Sequence, residues 1–139
     1  MVKLGFDFDN TLDRKNIQQY AKELISRGYE VWIVTGRMTN DIYTKHMFSK
    51  GIIVPYNINS DLFKVAKEVG IPENRIQFMN MRDKYHFFIS HPDFLWHLDD
   101  DFIEIKGINK NTSVIGISSI SSNWKNKCEK TLNIFYDRL

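Results

Sequence analysis

A chain of 139 residues with 42% apolar and 14% aromatic residues has the material for a sizeable core and the length of one domain. Its 19 basic and 17 acidic residues leave a formal charge of +2, too small to steer it toward nucleic acid or a membrane surface. A single cysteine, Cys128, excludes an internal disulfide framework, and no signal-like h-region or apolar run near the ~20 residues of a bilayer span is present, so the expectation is a cytoplasmic protein without membrane contact.

Val2, Leu4, Phe6 and Phe8 form a β-prone apolar run that opens into the polar Asp9, Asn10 and Thr11, the pattern of a buried strand ending in a loop. Ile17, Tyr20, Ala21, Leu24 and Ile25 then recur at helical spacing, with Asn16 as a candidate cap and Gly28 suited to the C-terminal left-handed position. Residues 29–34 are a second apolar, β-branched run ending at Thr35, Gly36 and Arg37. A helix is expected over 40–50 up to Gly51, and 52–56 is ambiguous between a short strand and an extended connection because of Pro55. Asn59 or Ser60 can cap a helix carrying Leu62, Val65, Ala66 and Val69, which Gly70 and Pro72 end; 75–79 reads as a strand. A helix is expected from Asp83 to about Ser90, then a strand over 94–98 that closes on Asp99, Asp100 and Asp101. The segment 114–117 is the last strand, and Trp124, Cys128, Leu132 and Phe135 make one stripe of a final helix.

Strands alternating with helices predict an α/β fold, a doubly wound, Rossmann-like, mostly parallel sheet of about five strands with helices on both faces. One domain over 1–139 is expected. In such sheets ligands gather at the carboxyl ends of strands, where Asp7-Asp9-Thr11, Thr35-Gly36-Arg37 and Asp99-Asp100 all fall. Alternation along the first strand would set Asp7 and Asp9 on one side, opposite Phe6 and Phe8. Clustered carboxylates raise one another's pKa unless a cation neutralises them, and Mg²⁺ beside a phosphate fits an all-oxygen donor set. Asp7 with one of Asp99 or Asp100 are the metal candidates. Thr35, the backbone near Gly36 and a base, Lys84 or Arg82, are the phosphate donors. His86, His91 and His97 match no metal-ligand spacing, and His97 reads as a core histidine.

These residues carry a family resemblance. DFDNT resembles the D-x-D-x-T motif of the haloacid dehalogenase superfamily of phosphohydrolases; the end of VWIVTGR resembles its second motif, Lys84 stands at the lysine of the third, and WHLDDDFIE is similar to the fourth, with Glu104 at the acidic position that often follows. The resemblance covers residues 4 to 104 and implies Asp7 as nucleophile forming an aspartyl-phosphate, and Asp9 as general acid and base. It also implies Thr35, Gly36 and Lys84 around the phosphoryl oxygens, and Mg²⁺ held by Asp7, the backbone carbonyl of Asp9 and a fourth-motif aspartate. Among Asp99, Asp100 and Asp101, Asp100 is favoured because it stands four before Glu104. Arg37 would contact substrate or pair with an acid.

Superfamily caps are inserted after the first motif or between the second and third. Only 23 residues separate Thr11 from Thr35 and 46 separate Arg37 from Lys84, so no separate cap domain is expected. An open site suits a phosphorylated small molecule such as a nucleotide, or a nucleic-acid 3′-phosphate end, and nothing in the sequence chooses between them. Tyr56, Tyr85, Phe87 and Phe88 read as core rather than as a base-stacking platform. A phosphorelay receiver would carry its phosphorylated aspartate on the third strand, not in a motif after the first. A degenerate module that binds phosphorylated partners without turnover is the remaining alternative, and it would lack residues that are all present here.

Overall fold

The computed structural model describes residues 1–137. Five parallel strands form one sheet: β1 (Lys3–Phe6), β2 (Glu30–Thr35), β3 (Ile76–Phe78), β4 (Phe94–Asp99) and β5 (Ile115–Ser118), in the order β3-β2-β1-β4-β5. Six helices connect and cover them: α1 (Lys15–Ser26), α2 (Asn40–Ser49), α3 (Ser60–Val69), α4 (Tyr85–Ile89), α5 (Phe102–Asn111) and α6 (Trp124–Asp137). The chain runs outward from β1 through β2 to β3, then returns to build β4 and β5 on the other side. That reversal leaves a crevice beyond the carboxyl end of β1, the usual ligand position of a doubly wound sheet. No helix among the described residues is long and apolar enough to cross a membrane.

The two faces follow from the period of two along the strands. Val31 and Ile33 of β2 pack with Leu4 and Phe6 of β1 beneath Ile17, Tyr20 and Leu24 of α1, Leu62 and Ala66 of α3, and Cys128 and Leu132 of α6. Trp32 and Val34 face the other way, toward Phe87 and Phe88 of α4 and Ile108 of α5. The largest fully buried side chain, Trp96, stands edge-on to Phe6 at 5.4 Å and stacks on Tyr20 at 6.4 Å. Truncating it to alanine would cost about 3–5 kcal/mol.

One irregularity positions the site. A register shift between the pairings of Lys3 with Phe94 and of Leu4 with Trp96 adds one residue to β4. Before the shift Phe94 faces α4; after it Trp96 and Leu98 face α1, so His97 and Asp99 point to the α4 side. Gly5 lies across from His97 on that side, where a Cβ would stand 2.8 Å from the ring Nδ1. A side chain here would clash with the imidazole, so the central strand carries none.

Two segments open in the sequence are resolved by the structure. The reading of the sequence left 102–111 unassigned, and it is α5, started by Asp101, whose carboxylate accepts the Ile103 N–H at 2.9 Å. The ambiguous 52–56 segment is not a strand.

Candidate functional site

The crevice contains a cavity of about 510 Å³ whose walls include Asp7, Asp9, Gly36, Lys84, Asp99 and Asp100. Asp7 directly follows β1, and its N–H donates to Leu98 O at 2.8 Å, extending the β1–β4 ladder by one bond. The strand itself stops at Phe6, and Asn10 turns the chain with φ of 58°. The expected alternation therefore does not extend to Asp9, which reaches the cavity through the turn rather than from a shared strand face. Thr11 fixes that turn: its hydroxyl bonds the Ser119 hydroxyl at 2.9 Å, and Arg14 Nη2 donates to Ser119 O at 2.7 Å.

Lys84, at the start of α4 and 3% exposed, is the buried cation of the site. Its Nζ donates to Asp7 Oδ1 at 2.7 Å and to Asp99 Oδ2 at 2.6 Å, and its backbone N–H donates to Glu104 Oε2 at 3.0 Å. Arg82, the alternative base, is exposed at the cavity wall. The ordering follows from position: α4 begins immediately after Lys84, so its short first turn drops the lysine, not the arginine, between β1 and β4.

The three consecutive acids occupy three environments. Asp99 is fully buried; its Oδ2 also accepts from His97 Nε2 at 2.8 Å, and its Oδ1 accepts the Asp101 N–H at 3.0 Å. Asp100 is half-buried and lines the cavity, while Asp101 caps α5. One oxygen each of Asp7, Asp99 and Asp100 lie within 4.8 Å of one another. His97 is a core residue as expected, yet only half satisfied, because its buried Nδ1 has no partner.

Electrostatics explain the arrangement. Burial pushes the Asp7 carboxyl up to about 8; Lys84 opposes this, and Asp99 and Asp100 add to it. Burial works to raise Asp99 as well, but the hydrogen bonds from His97 and Lys84 hold it well below the usual carboxylate range. Burial likewise outweighs Asp99 at His97 and lowers its pKa, so the neutral ring donates its Nε2–H to Asp99. Burial would lower Lys84, but Asp7 and Asp99 keep it raised. One ammonium thus faces three carboxyl groups, and full ionisation of all three would leave an excess of negative charge that a second cation would relieve.

Arg37 lies at the opposite wall. Its Nε and Nη2 donate to Asp9 at 2.9 and 2.7 Å, its Nη1 and Nη2 donate to Asp61 at 2.8 and 2.9 Å, and the guanidinium covers the Phe8 ring at 4.9 Å. Thr35 is buried and its hydroxyl oxygen accepts the Arg37 N–H at 3.2 Å, while Gly36 reaches the cavity wall.

No family model matches this chain, and neither does any curated protein. Among solved structures it is similar to a hypothetical protein from Xanthomonas campestris, with a TM-score of 0.50 and 14% identity over 84% of this chain and 62% of that one. The chain thus spans less than two thirds of that protein, and at such identity the likeness is one of fold.

The sequence brought out Asp7, Asp9, Thr35, Gly36, Lys84, Asp99 and Asp100, and all except Thr35 are at the cavity wall. It offered an acid as one partner for Arg37, which pairs with Asp9 and Asp61, but did not point to Asp61, for which no local signal exists, since the two lie on separate elements. It also missed the His97–Asp99 bond, which the i, i+2 spacing on one strand face permits.

Proposed function

We propose that this protein is a Mg²⁺-dependent phosphomonoester hydrolase that works through an aspartyl-phosphate on Asp7. The observation that carries the reading is the buried ammonium of Lys84 held between Asp7 and Asp99 beside Asp100, at the carboxyl ends of adjacent strands. The order of motifs resembling the haloacid dehalogenase superfamily supports it independently.

In this reading an Asp7 oxygen attacks phosphorus, the ester P–O bond breaks, and Asp9 gives its proton to the leaving oxygen. Asp9 then takes a proton from water, whose oxygen attacks the aspartyl-phosphate, releasing inorganic phosphate and restoring Asp7. Arg37 fixes the Asp9 carboxyl in place through its two-pronged contact. Lys84 offsets charge on Asp7 and the incoming phosphoryl oxygens, and the Gly36 backbone stands behind them, while the Thr35 hydroxyl, away from the cavity wall, steadies the Arg37 backbone N–H.

The donor set fits Mg²⁺, being all carboxylate oxygen with an excess of negative charge. Asp99 already accepts three hydrogen bonds, so Asp7 and Asp100 are the carboxylates that would hold the ion, with the Asp9 carbonyl added by the family pattern. When bound, the ion neutralises the phosphoryl oxygens and the carboxylates together.

The test is phosphate release with and without Mg²⁺ from an aryl phosphate, a set of mononucleotides and a 3′-phosphorylated oligonucleotide, with Asp7→Asn alongside. Release that needs Mg²⁺ and disappears in the variant is the expected result. A folded Asp7→Asn protein with undiminished release rejects the nucleophile, and a folded wild type that releases nothing favours a binding module.

A further inference from the structure

The helix α2 differs from the other long helices in burying none of its residues. Its Tyr43, His46 and Met47, at i, i+3 and i+4, share one face, and that face borders a second, open cavity of about 470 Å³ lined also by Met38 and Ile58. The fold gains no core from this face, so its apolar side chains need another explanation. The two cavities adjoin, because Arg37 and Met81 line both.

The junction is held at a conformational cost. Asn80 and Met81 both occupy the left-handed region, with φ of 52° and 69°, which non-glycine residues seldom adopt. Hydrogen bonds to the loop after β2 impose it: the Asn80 N–H donates to Arg37 O at 3.1 Å, the Met81 N–H donates to Gly36 O at 2.8 Å, and Asn80 Oδ1 accepts the Thr39 N–H at 3.0 Å. The result is a Met81 backbone held in place and an exposed Met81 side chain where the acidic cavity meets the apolar one.

We propose that the second cavity binds the leaving group of the phosphomonoester, and that this group is a flat aromatic ring such as a nucleobase or an aryl ring. This rests on the hydrolase reading above. Three thioethers, from Met38, Met47 and Met81, together with Tyr43 present polarisable surface suited to the face or edge of an aromatic ring. No carboxylate lines the cavity, and only Tyr43, His46 and Arg37 offer polar atoms, which suits a ring needing few hydrogen bonds rather than a polyhydroxylated group. Continuity through Arg37, which also holds Asp9, places the ring on the side where the leaving oxygen receives its proton.

The experiment compares kcat/KM for adenosine monophosphate, 4-nitrophenyl phosphate and glycerol phosphate in the wild type, Tyr43→Ala, Met47→Ala and Phe48→Ala. Phe48 lines a separate pocket with Ile52 and Ile53 and serves as the control. Because α2 buries nothing, the variants keep the fold, which circular dichroism checks. The wild type is expected to favour the aromatic esters, and Tyr43→Ala and Met47→Ala to reduce that preference about tenfold, chiefly through KM, as loss of one stacking contact implies. Phe48→Ala keeps the preference. Release from all three esters with ratios in Tyr43→Ala and Met47→Ala within about twofold of wild type overturns the subsite while leaving the hydrolase reading intact. Release from none above the Asp7→Asn baseline overturns both. The ester that loses more in Tyr43→Ala and Met47→Ala, nucleotide or aryl, shows which aromatic source the cavity fits, since leaving-group reactivity cancels in that comparison.

Discussion

Arg37 grips Asp9 through two parallel hydrogen bonds while its remaining edge holds Asp61, so one guanidinium joins the loop after β1 to the start of α3. The side chains of Asp9 and Asp61 are 53% and 59% exposed, so the network adds under ~1 kcal/mol to stability and its value lies in orientation. A lysine cannot reproduce the fork. Arg37→Lys is therefore expected to lower kcat for phosphate release about 10- to 100-fold with a nearly unchanged melting temperature, as steady-state kinetics and thermal melts would register. A marked drop in melting temperature would assign Arg37 a structural role instead.

Lys84 is the sole ammonium among three carboxylates. Lys84→Met removes it and leaves the cluster uncompensated, at a cost of about 3–5 kcal/mol near neutral pH. Acid eases the penalty by protonating the carboxylates, so denaturant melts should find wild type and variant closer at pH 5 than at pH 8.

For Asp7 the pH dependence has the opposite sense to that of an ordinary paired acid. Its carboxyl rises from 3.8 to about 8 on folding, so the stability it contributes is complete below the unfolded value and declines as pH climbs toward 8. The melting temperatures of metal-free wild type and Asp7→Asn should lie closer at pH 5 than at pH 8.5, where the variant should melt several degrees higher. Millimolar Mg²⁺ should narrow that gap by stabilising the wild type alone. Identical melting profiles of the two proteins across this range would contradict the shift.

Gly5→Ala tests the support beneath Asp99. The added methyl would meet His97 Nδ1 at 2.8 Å and Phe88 at 3.4 Å, and neither can retreat within a packed interior. The expected cost is about 1–3 kcal/mol in chemical denaturation, with activity lost beyond what instability explains because Asp99 moves with the imidazole. Wild-type stability and activity in this variant would mean that His97 adapts freely.

Much of this architecture was legible in the chain. Leu4 and Phe6, Val31 and Ile33, the stripe Ile17, Tyr20 and Leu24 of α1 and the stripe Leu62, Ala66 and Val69 of α3 announce their faces by period alone, because burial on one side leaves a repeating mark. Acids and a Thr-Gly pair at strand ends point to the crevice for the same reason. The rest depends on contacts between distant segments. Whether Lys84 or Arg82 turns inward is set by where a five-residue helix begins, and which of three adjacent aspartates is saturated depends on His97 and on a one-residue shift in β4. The second helix, α2, lacks a core face altogether, so periodicity had nothing to report about its role.

The central position of β1 also governs how the molecule acquires its site. Strand β1 pairs with β2 early in the chain, but its other edge waits for β4, whose first partner to Lys3 is Phe94. Asp7, Lys84 and Asp99 therefore meet only after a loop of some ninety residues has closed, an entropically late event in folding. A partly folded chain with β1 and β2 paired but β4 not yet docked lacks Asp99 and Asp100 beside Asp7, so the acidic cluster is assembled only with the completion of the sheet.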